Sequence, residues 1–463
     1  MKPNVLLMIA DDQRFNTIHA LGNDQIITPN FDKLVHRGTS FTEAFIPGGS
    51  SGAVCMPSRA MLATGRYVTS WEDDGATIPD SQALLGEEMQ KGGYTAFGTG
   101  KWHNGTRSFA RSFNSGANIF FGGMWDHWNV PVNDYDPTGK YDHLKTFTQD
   151  PFSTHRTIQL PADRINIGKH STDLFADTMI QAIRDHQGSD QPFFMYGAFM
   201  APHDPRTMPD KYSAMYDPEA IELPDNYLPQ HPFEFDMRAQ RDESLEAYPR
   251  KISAVKQHIA DYYGMITHID DRVGDIVSAL EETGQLDTTL IVYVADHGIS
   301  LGQHGLIGKQ NLYDNSIRIP MILAGPGIPE DRRVAGKALL LDMMPTILDY
   351  VGLPIPDGIF GHSLLPQIQG KAGGRDEVYL QFTDKIRGLV TPDYKLIEYR
   401  TIQGSHTQLF DRHTDPNEEY DLSHTASAQP IIAKMRRRLR QLAQAQGDLD
   451  FSQGEQFWAR DEK

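Results

Sequence analysis

The sequence predicts an α/β protein: a large, mostly parallel sheet sandwiched by helices, with a smaller C-terminal subdomain of antiparallel sheet plus helix. Three observations carry this reading. Four short apolar runs recur between residues 5 and 295, and each leads into polar residues. Unbroken apolar runs mark strands buried on both faces, as in parallel sheets covered by helices. Stretches with helical spacing lie between them, the alternation that builds parallel sheets. Beyond about residue 370 the texture changes to closely spaced short runs and then a basic amphipathic segment.

In chain order, residues 5–10 read as a first strand that ends at Asp11-Asp12. Residues 30–37 follow Thr28-Pro29, a helix start, and set Phe31, Leu34 and Val35 on one face. Residues 94–98 read as a strand running into Gly100-Lys101-Trp102-His103. The stretch 104–170, rich in Gly, Asn, Asp and aromatic residues, predicts long ordered loops. Residues 193–199 lead into Ala201-Pro202-His203-Asp204, and 204–250 is Pro-rich and irregular. The clearest helix covers 251–283. Its apolar positions, from Ile252 and Val255 to Ile276 and Leu280, keep spacings of three and four, and Gly284 suits its end. Residues 290–295 end at Asp296-His297-Gly298. Residues 377–382, 386–390 and 394–399 read as short antiparallel strands, and 428–445 as an amphipathic basic helix. The chain therefore divides into 1–370 and 371–463. Ligands of open α/β sheets bind beyond the carboxyl ends of the strands, where all four polar groups fall.

Composition narrows the function. The 463 residues are 39% hydrophobic and 22% charged, with no apolar run long enough to span a membrane. A net charge of −18, from 43 basic and 61 acidic residues, is the opposite of a nucleic-acid binder's balance. An anionic substrate would need a local cluster of Lys, Arg and His. The single cysteine excludes an internal disulfide. The apolar run after Lys2 is shorter than a signal peptide's and ends in two aspartates. The expectation is a cytoplasmic protein if Met1 is the native start, and a periplasmic or secreted one if an export signal has been removed.

The strongest motif surrounds that cysteine. Cys55-Met56-Pro57-Ser58-Arg59 continues to Leu62, Thr64, Gly65 and Arg66, the spacing C-x-P-S-R-x-x-L-x-T-G-R. A lone cysteine is usually a small buried hydrophobe. So many specified positions in so short a run reverse that reading. The segment resembles the formylglycine-dependent sulfatases of the alkaline-phosphatase superfamily, in their carbohydrate-sulfatase branch, and looser likeness runs through most of the chain. The resemblance implies an alkaline-phosphatase-like fold, with 1–370 the catalytic sulfatase domain and 371–463 a C-terminal α+β subdomain. It also implies that a formylglycine-generating or sulfatase-maturing enzyme oxidises Cys55 to formylglycine (3-oxoalanine). A hydrated aldehyde supplies one hydroxyl to attack sulfur and a second to expel sulfate, a step a serine lacks. If a helix begins near Pro57, its free N–H groups suit the anion, and Arg59 offers a planar fork for sulfate oxygens.

Two further constellations follow from the same resemblance. Asp11, Asp12, Asp296 and His297, with the Cys55-derived group, are expected to hold one divalent cation, Ca²⁺. Either pair alone would pass for a turn, but carboxylates at the ends of two buried strands suit a hard cation. Imidazole is an unusual Ca²⁺ ligand, which leaves another metal open. Lys101 and Lys309 are expected to bind sulfate, His103 to assist the nucleophile, and His203 to protonate the leaving alcohol. Trp102, Trp125, Asp126, His127, Trp128, Arg206 and His304 are candidates for sugar contact, set against a packing role for the tryptophans. The expected activity is hydrolysis of a sulfate monoester on a carbohydrate, by exo action on an oligosaccharide from a sulfated polysaccharide. The alternatives are a phosphonate monoester or phosphodiester hydrolase and a non-catalytic sugar-binding protein on the same scaffold.

Overall fold

The computed structural model describes residues 2–71, 74–148 and 156–460. Eight strands form the main sheet, in the order Arg332–Val334, Thr39–Phe41, Met321–Ala324, Thr289–Ala295, Asn4–Ala10, Phe193–Ala198, Thr95–Trp102 and Ser115–Phe121. The five from Thr289–Ala295 to Ser115–Phe121 run parallel. Met321–Ala324 is antiparallel to both its neighbours. The apolar runs read from the sequence are the central strands. Asn4–Ala10, Phe193–Ala198 and Thr289–Ala295 are buried along their whole length. Burying a Val, Leu, Ile or Met side chain stabilises by about 1.5–3 kcal/mol, so these strands fix the frame on which the polar residues beyond them hang.

Helices flank the sheet in two groups. Ile252–Glu282 packs against Ser171–Asp185 and Pro29–Arg37, while Cys55–Thr64, Leu85–Lys91 and Met343–Tyr350 pack together.

The stretch 104–170 departs from the expectation of loops. It contains the helix Thr106–Ser112 and the strand Ser115–Phe121, which extends the main sheet. Asn129–Val132 pairs with Arg164–Ile167, and Leu144–Thr148 with Thr157–Pro161. The edge strand begins Ser-Gly-Ala-Asn and is only half-buried there, so no apolar run marks it; pairing with Thr95–Trp102 overrides weak local propensity. Residues 149–155 of the stretch lie outside the described residues.

A second sheet has the order Gly404–Asp411, Tyr394–Thr401, Ile386–Val390, Val378–Phe382 and Gly48–Gly49. Its first four strands are antiparallel. The helix Gln429–Ala445 covers it through Ile432, Met435, Leu439 and Ala443. The fifth strand comes from the chain shortly before Cys55 and runs parallel to Val378–Phe382. Gly48 has φ +102°, and a Cβ there would stand 1.9 Å from the Gln381 carbonyl oxygen. Only glycine fits so close an approach. The C-terminal sheet therefore anchors the segment that delivers Cys55.

Candidate active site

The carboxyl ends of three parallel strands, two of them neighbours and the third one strand further along the sheet, meet the start of one helix in a buried cluster. Asn4–Ala10 delivers Asp11 and Asp12, Thr289–Ala295 delivers Asp296 and His297, and Thr95–Trp102 carries Lys101 with His103 just beyond. A bulge between Gly98 and Gly100 breaks the register of the last strand, and such bulges re-aim side chains. Gly100 has φ +85°, and a Cβ there would collide with the Ala198 carbonyl oxygen at 1.9 Å. Asp12 also sits at positive φ, 69°. Tyr262, from the long helix Ile252–Glu282, holds that turn by donating to the Asp12 carbonyl while accepting from the Arg14 N–H.

Cys55 opens the helix Cys55–Thr64, and its Sγ lies 3.2 Å from His103 Nδ1. Burial would push the thiol up, but Lys101 and His103 overcome this and hold it well below the ordinary thiol value. The helix starts two residues before Pro57. The Met56 and Ser58 N–H groups already bond the Ala53 and Val54 carbonyls, at 3.1 and 3.2 Å. The expected free N–H cradle is thus absent at those two positions; what the helix offers an anion is the positive end of its dipole.

Arg59 also departs from expectation. Its fork is engaged from within the protein: Nε donates to Asp296 at 2.8 Å, Nη2 to Asp11 at 2.9 Å, and Nη1 to the Lys101 carbonyl at 3.0 Å. A guanidinium so occupied orients carboxylates instead of gripping sulfate. The sequence shows that an Arg follows Cys55 at this spacing, but not which way its fork points.

The carboxylates share one arrangement. Asp11 Oδ2 is taken by Arg59 and Lys101, Asp12 Oδ1 by Lys309 at 2.8 Å, and Asp296 Oδ2 by Arg59. The opposite oxygens, Asp11 Oδ1 and Asp12 Oδ2, have no hydrogen-bond partner, nor has His297 Nε2. Asp296 Oδ1 accepts only a long 3.2 Å bond from the Asp12 N–H. Buried polar atoms are normally satisfied. Ligand atoms of Asp11, Cys55, Asp296 and His297 lie within 4.8 Å of one another, as do those of Asp11, Asp12 and His203. These residues fit a divalent cation. Three carboxylates face three cationic side chains, so a bound divalent ion would leave the pocket net positive, the sign an anionic substrate needs. Burial disfavours the charged form of His297, but Asp296 and Asp12 outweigh it and raise the ring to about 9.

His203 sits opposite. Its Nδ1 is 2.9 Å from the Asp204 carbonyl oxygen, and its Nε2 is 3.9 Å from Asp12 Oδ2. Burial lowers this imidazole, but Asp12 and Asp204 raise it above its ordinary value.

The proposed sugar contacts divide. Trp102 is 3% exposed, donates to the Gly105 carbonyl and Ser108, and packs edge-on against Phe109, Phe113 and Tyr196. His127 is fully buried between Ser171 and the His203 carbonyl, with burial first among the causes that lower it to about 4. Trp102 and His127 are therefore packing residues, because their ring nitrogens are needed to satisfy buried backbone and hydroxyl groups. Trp125 packs edge-to-face with Phe147 and Trp128 with His170, and Asp126 caps its own turn through Trp128 and Asn129. His304 lies flat on Tyr313 and bonds Asn226. Arg206 differs: Nη1 bonds His258 at 2.7 Å, while its buried Nε and Nη2 have no partner.

Two site residues carried no sequence signal. Asp242 stands 3.8 Å from Lys309 Nζ and accepts from Gln310. Glu243 accepts the Ile307 and Gly308 N–H groups and thereby seats the loop that presents Lys309. Both lie in the irregular stretch 204–250, where no periodicity singles out an acidic pair.

Comparison with known proteins agrees with this geometry. A family model described as Sulfatase matches residues 3–353, and one described as N-sulphoglucosamine sulphohydrolase, C-terminal, matches residues 302–445. An arylsulfatase of Clostridium perfringens is 28% identical over 470 residues, covering 95% of this chain and 94% of its own. An N-acetylglucosamine-6-O-sulfatase of Bacteroides thetaiotaomicron is 24% identical over 520 residues, covering 95% and 85%. A solved protein in complex with its substrate D-glucosamine-2-N,6-O-disulfate superposes with a TM-score of 0.73 at 22% identity, covering 98% of this chain and all of the other.

Proposed function

The chain belongs to the sulfatase family, and from that premise we propose that it removes sulfate from the end of a sulfated oligosaccharide, with Cys55 carried as formylglycine. One observation carries this: a buried Cys55 stands beside His103 and faces carboxylates whose inner oxygens are unsatisfied, with Lys101 and Lys309 alongside. A thiol has no place in that chemistry; an aldehyde hydrate there supplies an oxygen nucleophile and a route to sulfate release. Asp11, Asp12, Asp296 and His297 would hold a divalent cation, proposed as Ca²⁺, which when bound lowers the nucleophile's pKa and neutralises sulfate charge.

The remaining work falls to the protein's own residues. His103 Nδ1 is placed to take a proton from the group at position 55. Lys101 and Lys309, tethered to Asp11 and Asp12, present fixed positive charge to sulfate oxygens. His203, which Asp12 and Asp204 raise above its ordinary value against the opposing effect of burial, suits a general acid for the leaving alcohol. Arg206, with two unpartnered nitrogens, is the sugar-side residue to which a second anionic group would bind. Cys55 and Lys309 are only 2% and 4% exposed, which suits a chain end entering a pocket more than an internal sugar.

The carbohydrate assignment draws on the match of residues 302–445 to the N-sulphoglucosamine sulphohydrolase model. Turnover by the matured enzyme is to be compared across defined sulfated mono- and oligosaccharides, an aryl sulfate and a phosphodiester. Preference for a terminal sulfated sugar is the expected result. A large preference for the phosphodiester would overturn the assignment, and equal turnover of internal sulfates would overturn exo action.

A further inference from the structure

A second concentration of positive charge lies on the C-terminal sheet, outside the pocket. The helix Gln429–Ala445 carries Lys434, Arg436, Arg437, Arg438 and Arg440 and not one acidic residue, in a chain of net charge −18. Arg436, Arg437 and Arg440 join Arg400 and Arg460 around one cleft of about 950 Å³. The five arginines come from three segments: a strand, this helix, and the residue after the helix Ser452–Ala459, where Arg460 also pairs with Asp384 at 2.6 Å. Trp458 forms part of the wall, with the Arg440 guanidinium 5.4 Å from its ring centre. Glu398 is the one carboxylate in the lining and is shared by Arg436 at 2.8 Å and Arg400 at 2.9 Å. Arg437 and Arg440 are exposed and have no carboxylate partner among the described residues.

The plain alternative is the solvated face of an amphipathic helix. Such faces usually intersperse both signs, because like charges four residues apart destabilise a helix by about 0.2–0.5 kcal/mol. Arg436 and Arg440 stand at that spacing, and the helix offers them no acid. Convergence of arginines from two other segments is also not a property of one helix face.

We propose that this cleft binds a sulfated stretch of glycan, holding the polymer while its end is processed in the pocket. The proposal rests on the sulfatase reading above. Arginine's planar fork pairs with tetrahedral oxyanions bidentately. Elsewhere the acidic surface repels a polyanion, and screening confines the attraction to about 8 Å at physiological ionic strength. A concave cleft fits a single flexible chain better than a flat anionic membrane. The acidic remainder of the chain disfavours a long nucleic acid.

The test uses the full-length matured protein and an Arg437→Glu/Arg440→Glu double variant, with an Arg437→Gln/Arg440→Gln variant as the milder change. Each is titrated with dextran sulfate, neutral dextran, single-stranded DNA and phosphatidylserine vesicles, and each is assayed on a small aryl sulfate. Dextran sulfate should bind the wild type, weaken roughly tenfold between about 50 and about 200 mM salt, and weaken at least about tenfold more in the charge-reversed variant. Aryl sulfate turnover should be the same in all three proteins. Equal dextran sulfate binding by wild type and variants would overturn the proposal, as would tighter binding of DNA or vesicles through the same arginines. Absent turnover of the aryl sulfate and of every sulfated sugar tried, with arginine-dependent binding intact, would instead remove the sulfatase reading and leave the cleft standing.

Discussion

Two charge networks are buried in this chain, and they end differently. In the C-terminal sheet, Arg387 donates to both oxygens of Asp448, at 2.8 and 2.9 Å, and Tyr379 and Trp458 donate to Oδ2 at 2.6 and 3.0 Å. None of these four side chains has an unpartnered buried atom. In the pocket, Asp11, Asp12 and His297 each keep one. Both networks are buried, so buried charge alone does not mark a functional site. What separates them is convergence: in the pocket several unsatisfied carboxylate and imidazole atoms lie close enough together to share one ion.

Substitutions separate the two. Cys55→Ala should reduce sulfate-ester turnover at least about 10⁴-fold, as loss of a nucleophile does, while the melting temperature holds. Asp448→Ala should do the reverse. It leaves Arg387 charged and unpaired, costs about 3–5 kcal/mol in urea unfolding, and spares turnover per folded molecule. If Asp448→Ala abolished turnover without loss of stability, the structural assignment of that network would fail.

A smaller effect concerns the cation. Adding Ca²⁺ at about 100 times its dissociation constant to chelator-treated protein should stabilise it by about 2.7 kcal/mol. Asp296→Asn should abolish that gain. An Asp448→Asn protein, although less stable, should keep it. Equal Ca²⁺ stabilisation of the wild type and Asp296→Asn would place the ion elsewhere.

A pH-dependent effect comes from Asp270, a buried carboxyl with no cationic partner among the described residues. Burial raises it to about 7, against N–H bonds from Phe31 and Asn30 that lower it. The folded state therefore holds this proton from the ordinary carboxyl value of 3.8 up to about 7, where the unfolded chain has released it. Stability should fall as pH rises through that window. Asp270→Asn keeps an acceptor for the backbone and should flatten the slope, measured by thermal melts from about pH 4 to about pH 8. An unchanged slope would assign the titration to another group.

Much of the fold and the site was legible because strong local signals coincide with it. Strands buried on both faces must be apolar throughout, so their ends show where polar residues begin, and those ends are where Asp11, Lys101 and Asp296 lie. The spacing from Cys55 to Arg66 is local and dense. What was not legible depends on tertiary direction. The orientation of the Arg59 fork, the burial of Trp102 and His127, and the approach of Asp242 to Lys309 are set by contacts distant in sequence. No apolar run marks Ser115–Phe121 in the sequence, because edge pairing makes it a strand.

The proposed hydrolysis depends on the residue at 55 acting as an oxidised cysteine. The direct measurement is the mass of the peptide containing Cys55 alongside sulfate release, across preparations matured to different extents. The account predicts an aldehyde in place of the thiol and sulfate release proportional to the converted fraction. Undiminished release from protein whose Cys55 is wholly a thiol, or none from fully converted, Ca²⁺-loaded protein on every sulfate ester tried, would contradict it.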